Sequence, residues 1–206
     1  MHSRDEWAVA SVHGVTGGRF YDPRIKAYVA KVKPGDYIAT REDIALATTL
    51  GSCVSACIRD AVAGVGGMNH FLLPESEMSR GVTSSARYGS YAMEMLINEM
   101  IKQGARRASM EAKVFGGANV LRSITTSDVG ERNAEFVHDY LAAEQIAIVS
   151  EDLGGMQARK VLYFPQTGRA MIRHLPVAQT ASEIAAEQQY LKRVSDTPAA
   201  GDVELF

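Results

Sequence analysis

Cys53, Cys57 and His70, the last of them seventeen positions after the first, are the residues in this 206-residue chain whose types and spacing could do chemistry. Three chemistries are open to them. As metal ligands they would need to lie within roughly 4 Å of one another. A strand through 53–58 instead sets the two sulfurs roughly 13 Å apart, which also forbids a disulfide. Nucleophilic catalysis fits better, because Gly51-Ser52-Cys53 puts a thiol just after a residue with no Cβ, where a turn can expose sulfur. Successive backbone N–H groups there could hold an oxyanion. A hairpin would carry His70, in the apolar run 68–73, back toward Cys53 to take its proton. Thr48 or Thr49, just upstream, could orient the imidazole. The third option is two buried thiols and a satisfied core histidine, and spacing alone leaves it open. Cys57 goes to the core on any of these options.

These residues need elements to position them. Residues 27–32 and 37–40 read as strands around a Lys33-Pro34-Gly35-Asp36 turn, and 44–50 approach the cysteines as strand or loop. A strand from 53 sends Cys53, Ser55 and Cys57 to one face. Residues 65–74 read as its returning partner, with Gly66-Gly67 marking a bulge or a close backbone approach. Ser84 and Ser85 are candidate caps for a helix over 86–103, whose apolar stripe is Ala92, Met93, Leu96, Ile97, Met100 and Ile101 and which Gly104 ends. Residues 110–115 read as a strand stopped by Gly116-Gly117. A second helix from about Asp128 buries Phe136, Val137, Tyr140 and Leu141. Strands follow at 146–149, 159–164 and 170–175, the last two as a hairpin. The pattern is that of an α+β or layered α/β domain over 25–176. It follows an N-terminal extension over 1–24 and precedes a polar helix and flexible tail over 177–206. The apolar end Val203-Glu204-Leu205-Phe206 could dock a partner, although termini are usually inert.

Composition narrows the function classes. Hydrophobic residues make up 46% of the chain and charged residues 22%, which suits a globular core. Lys plus Arg number 22 against 24 Asp plus Glu, so no field of one sign favours nucleic acid or an anionic membrane. There is no run of about 18 apolar residues, so membrane insertion is not expected. The start, Met1 to Trp7, is polar and charged with no apolar stretch behind it. With only two cysteines, this points to the cytosol. The remaining histidines, His2, His13, His138 and His174, read as surface residues. Gly116-Gly117 and Gly154-Gly155 read either as lining of a substrate groove or as turns needing positive φ. Arg132-Asn133, at the opening of a helix, reads as a motif for internal hydrogen bonding rather than substrate contact, with no role assigned.

A string of ordered motifs goes further. Leu50-Gly51-Ser52-Cys53-Val54 is followed by Cys57-Ile58-Arg59-Asp60 and Gly66-Gly67-Met68-Asn69-His70-Phe71-Leu72-Leu73-Pro74. Then come Arg87-Tyr88-Gly89, Lys113-Val114-Phe115-Gly116-Gly117-Ala118 and Gly130-Glu131-Arg132-Asn133. Asp152-Leu153-Gly154-Gly155, Arg159-Lys160-Val161 and Thr167-Gly168 complete the set. Over residues 25–176 it resembles the CheD family of bacterial chemotaxis enzymes. The resemblance implies a layered sandwich of a mixed β-sheet with helices, related to the catalytic domain of cytotoxic necrotizing factor toxins. It also implies deamidation of chemoreceptor glutamines through a cysteine thioester, with no cofactor. The implied catalytic set is Cys53 as nucleophile, His70 as base and Thr48 as the third residue, with Thr49 as the alternative. The same acyl-enzyme would admit glutamyl methyl ester hydrolysis. Implied partners are the cytoplasmic domains of methyl-accepting chemoreceptors and, in some bacteria, CheC-type phosphatases. The competing functions are a transglutaminase-like acyltransferase and a non-enzymic module that binds such a phosphatase.

Overall fold

The computed structural model describes residues 18–73, 83–120 and 129–176, with Ala185 and Gln189 beyond them. The first half supplies β1 (Phe20–Asp22), β2 (Ala27–Lys31), β3 (Tyr37–Thr40), β4 (Ala45–Leu50), β5 (Val54–Asp60), β6 (Val65–Asn69) and α1 (Thr83–Lys102). The second half supplies β7 (Met110–Gly116), α2 (Val129–Ala143), β8 (Ala147–Leu153), β9 (Arg159–Phe164) and β10 (Arg169–His174).

The strands form two five-stranded sheets rather than the single mixed sheet expected. An outer sheet runs β1-β2-β4-β9-β10 and a central sheet runs β3-β6-β5-β7-β8. Burial on both faces of β5 explains the difference. Val54, Ala56 and Ile58 pack against α1 and α2 on one side of the central sheet. Cys57, just beyond Cys53 at the strand's start, packs on the other side among Leu46, Leu50, Val161 and Tyr163 of the outer sheet. A strand covered on both faces requires a layer on each side, here helices and a second sheet. Both sheets are mixed, since β2 pairs β4 in parallel and β7 pairs β8 in parallel. The chain changes sheet between β4 and β5, at Gly51-Ser52-Cys53, so the candidate nucleophile sits at the crossing.

The helices lie close to expectation, with two corrections. α1 begins at Thr83, so Ser84 and Ser85 fall inside its first turn rather than before it. Its buried stripe is Met93, Leu96, Ile97 and Met100, each contributing about 1.5–3 kcal/mol by leaving water. Ile101 is exposed instead. Gly104, at φ 98°, ends the helix with Ala105 N–H donating to Met100 O at 3.0 Å. In α2, Val137 and Leu141 are fully buried, while Phe136 and Tyr140 are half-buried against the same core.

The Gly66-Gly67 pair marks a close approach. A Cβ on Gly67 would lie 2.4 Å from Ile38 O and 2.6 Å from a methyl of Leu96. β6 keeps a regular register with both β3 and β5, so no bulge is needed. In the N-terminal extension, β1 pairs with β2, so the sheet reaches back to Phe20. Residues 1–17 and, apart from Ala185 and Gln189, residues 177–206 lie outside the described residues, and with them the proposed polar helix and tail.

Candidate active site

Register brings the site together. Val54 and Phe71 exchange both backbone hydrogen bonds, at 3.0 and 2.9 Å, and extend the β5–β6 ladder beyond its last regular pair. That places Cys53 opposite Leu72 and Ser55 opposite His70. These four side chains leave the central sheet on the face that meets the outer sheet. Cys53 and His70 are therefore diagonal cross-strand neighbours, with Cα atoms about 7–8 Å apart, within reach of each other's side chains.

His70 is held from three sides. Its backbone N–H donates to Asp36 O at 3.0 Å and its carbonyl accepts from Gly35 N–H at 2.8 Å, so the turn between β2 and β3 clamps it. The neighbouring Asn69 uses its side chain in the ladder, with Oδ1 accepting from Ala56 N–H at 2.8 Å. The ring reaches across to the outer sheet, where Nδ1 lies 2.8 Å from Thr48 Oγ1. Thr48 Oγ1 in turn donates to Val32 O at 2.8 Å. A hydroxyl has one proton. With it committed to Val32, Thr48 must accept from Nδ1–H, which leaves Nε2 as the basic nitrogen.

Parity along β4 separates the two threonines. Thr48 pairs with Val161 and faces the central sheet, whereas Thr49 pairs with Lys160 and faces the other way. Cys57 is buried among apolar side chains, and that burial pushes its thiol well above the usual range. A thiol so protonated is a poor nucleophile.

The Gly51–Cys53 loop is fastened from behind. Ala118 N–H donates to Gly51 O and Gly117 N–H donates to Cys53 O, both at 2.7 Å. Between them, Asn133 Nδ2 donates to Ser52 O at 2.8 Å, while its Oδ1 accepts from Leu73 N–H at 2.9 Å. Asn133 has no exposed surface. Sequence reasoning gave it no role. The available signal was a polar residue three positions after Gly130, on the helix face that Gly130 lets approach Gly117.

Gly116 and Gly117 take φ values of 111° and 65°. A Cβ on Gly116 would lie 2.1 Å from Cys53 O, which is backbone and cannot move aside. Gly116→Ala is therefore expected to cost about 2–4 kcal/mol and to lower the melting temperature sharply. Gly154→Ala, with open space around its Cβ, should lose only about 1–2 kcal/mol from its positive φ. Thermal melts of the two variants side by side check the contrast.

Beyond Gly117 opens a groove of about 810 Å³, lined in part by Glu131, Glu135, Glu151, Gly154 and Gly155. The turn reading of the glycine pairs holds, since Gly116, Gly117, Gly154 and Gly155 all have positive φ, and the last three also line this groove. Buried Arg159 holds the 152–157 loop through Asp152 and the carbonyls of Asp152 and Gly154. Burial is the main influence on that guanidinium, lowering its pKa against the opposing pull of Asp152. His138 and His174 lie on the surface, against Glu151 and Asp152 respectively. Among the described residues, no three His, Cys, Asp or Glu side chains converge to hold a metal. No helix among them is long and apolar enough to cross a membrane.

The family model described as CheD chemotactic sensory transduction matches residues 72–174. A protein of Xanthomonas campestris pv. campestris (strain B100) is 55% identical over 188 residues, covering 91% of this chain and 94% of its own length. The chain belongs to the CheD family. That relative bears the name "Probable chemoreceptor glutamine deamidase CheD", as does one from Methylobacillus flagellatus that is 50% identical over 190 residues with the same coverage. Among solved structures, the Bacillus licheniformis hypothetical protein YfiH is similar with a TM-score of 0.38 and 14% identity. The match covers 56% of this chain and 49% of that one.

Proposed function

We propose that this chain is a cytoplasmic protein-glutamine glutaminase that converts chemoreceptor glutamines to glutamate, with Cys53 as nucleophile, His70 as base and Thr48 as the residue that orients it. The observation that carries the site assignment is the hydrogen-bond relay from Val32 O through Thr48 to His70 Nδ1. It fixes the tautomer in which Nε2 accepts a proton, on the face that Cys53 shares. The substrate assignment rests on membership of a family whose members bear the deamidase name.

In this reading His70 Nε2 takes the Cys53 proton and the thiolate attacks the side-chain amide carbon. Backbone N–H groups at Ser52 and Cys53 hold the oxyanion. The tetrahedral adduct collapses as imidazolium protonates the leaving nitrogen, and ammonia departs. His70 then takes a proton from water, hydroxide adds to the thioester, and the sulfur leaves and is reprotonated. The sum is glutamine plus water giving glutamate plus ammonia. A glutamyl methyl ester would enter the same sequence, with methanol leaving in place of ammonia. Family membership alone suggests a CheC-type phosphatase as a further partner and a kinship of the sandwich with the catalytic domain of cytotoxic necrotizing factor toxins.

The test is incubation of the protein with the cytoplasmic fragment of a chemoreceptor, followed by peptide mass spectrometry. Conversion of glutamine to glutamate at defined positions, with ammonia released in equal amount, is expected. An excess of a primary amine separates the rival outcome: if substituted amide replaces acid as the main product, the protein is an acyltransferase and the deamidase reading fails.

A further inference from the structure

The three bonds behind the Gly51–Cys53 loop have a geometric consequence for the N–H groups in front of it. In a planar trans peptide the carbonyl of one residue and the N–H of the next point in opposite directions, and the described chain contains no cis peptide bond. Gly51 O is drawn toward Ala118 and Ser52 O toward Asn133. The N–H groups of Ser52 and Cys53 are therefore turned away from β7 and α2. Cys53 O is held by Gly117, and its plane partner, Val54 N–H, donates in the other direction to Phe71 O. That third plane confirms the sense of the first two.

The flanking planes are held by backbone amides, which almost any side chain would supply. The middle plane is different, because it carries the Cys53 N–H and is held by a side chain. Asn133 is buried, and both ends of its amide are used. It ties Ser52, just before the nucleophile, to Leu73, three residues after the histidine. The buried Nδ2 meets its hydrogen-bonding demand at the Ser52 carbonyl, which is thereby turned back toward α2.

We propose that Asn133 is a positioning residue for the oxyanion hole: by holding Ser52 O it aims the Cys53 N–H at the oxygen that becomes negatively charged when the amide is attacked. The inference rests on the reading of Cys53 as nucleophile. If the peptide turned over, a carbonyl oxygen would face the developing negative charge in place of a donor. Losing one oxyanion donor typically costs about 10²–10³-fold in kcat. Proton transfer from Cys53 to His70 does not use this peptide plane and would be unaffected.

Asn133→Asp is the informative variant. It keeps the volume and can still accept from Leu73 N–H, but it sets a carboxylate oxygen against Ser52 O. On receptor fragment its kcat is expected to fall about 10²-fold or more with KM little changed. The pH profile for alkylation of Cys53 by iodoacetamide should match wild type, since it reads the thiol–imidazole pair. A kcat close to wild type overturns the inference. So does a loss of kcat accompanied by a displaced alkylation profile, which would mark a merely structural residue. A second measurement needs no variant: a receptor peptide with the target glutamine replaced by its side-chain aldehyde should add to the Cys53 sulfur. In a crystal structure of that adduct the hemithioacetal oxygen is expected about 3 Å from Cys53 N. An adduct on Cys53 with its oxygen elsewhere sinks the role of Asn133 alone. Failure of the aldehyde to add to Cys53, or deamidation by Cys53→Ala, sinks the underlying reading instead.

Discussion

Cys53→Ala is expected to bring receptor deamidation down to the background rate while leaving the fold in place. The sulfur is the atom that bonds to substrate in the proposed reaction, and no other described thiol can replace it. Cys57 lies two pleats deeper between the sheets, and its burial keeps it protonated. Removing Sγ from Cys53 deletes a small apolar volume, for which a cost of about 1–2 kcal/mol is reasonable. Circular dichroism and a thermal melt should therefore show a folded protein with slightly reduced stability. Cys57→Ala should retain most activity despite a similar loss of volume. Glutamate formation read by mass spectrometry in the three proteins is decisive, and activity in Cys53→Ala near that of wild type would end the nucleophile assignment.

His70→Ala carries the second-largest expected effect, and Thr48 supplies its internal control. Loss of a general base typically costs about 10²–10⁴-fold, and in the proposed reaction the same ring also protonates the leaving ammonia. Thr48→Val keeps the β-branched shape between the sheets but removes the oxygen that accepts from Nδ1–H. It also leaves Val32 O without the Thr48 hydroxyl. A buried hydrogen bond left unmade costs about 1–3 kcal/mol, which corresponds to about a 10- to 10²-fold rate loss if it falls on the transition state. Thr48→Ser should recover most of that loss, whereas Thr49→Val, on the opposite face of β4, should change little. Steady-state kinetics on one receptor fragment ranks the four variants. A Thr49→Val defect equal to that of Thr48→Val would remove Thr48 from the site.

Local pattern made much of the fold legible. β3 at Tyr37–Thr40 and the β9–β10 hairpin around Pro165-Gln166-Thr167-Gly168 follow from β-branched runs bounded by turn residues. α2 follows from its apolar spacing. What escaped depends on contacts distant in sequence. Alternation along β5 could not reveal that its second face meets another sheet, because small residues such as Ala56 and Cys57 suit burial on either side. Thr48 and Thr49 are chemically equivalent as a string, and only pairing with β9 gives them opposite faces. Ile101 extends the apolar stripe on paper but lies past the edge of the core. Internal hydrogen bonding by Asn133 could be read from the sequence, but its partners could not, because they are main-chain atoms of residues 52 and 73.

Thr48 belongs to the outer sheet, while Cys53 and His70 border the central one. In the proposed site, the proton-accepting ring on one sheet is therefore oriented by a hydroxyl on the other. A nascent or damaged chain with only one sheet assembled would hold a thiol or an oriented hydroxyl, but no relay joining them. Glutamine is abundant on every protein surface, and an amidohydrolase competent before it was finished would mark its neighbours indiscriminately. In the proposed reaction, dividing the relay between two layers ties full activity to completion of the sandwich.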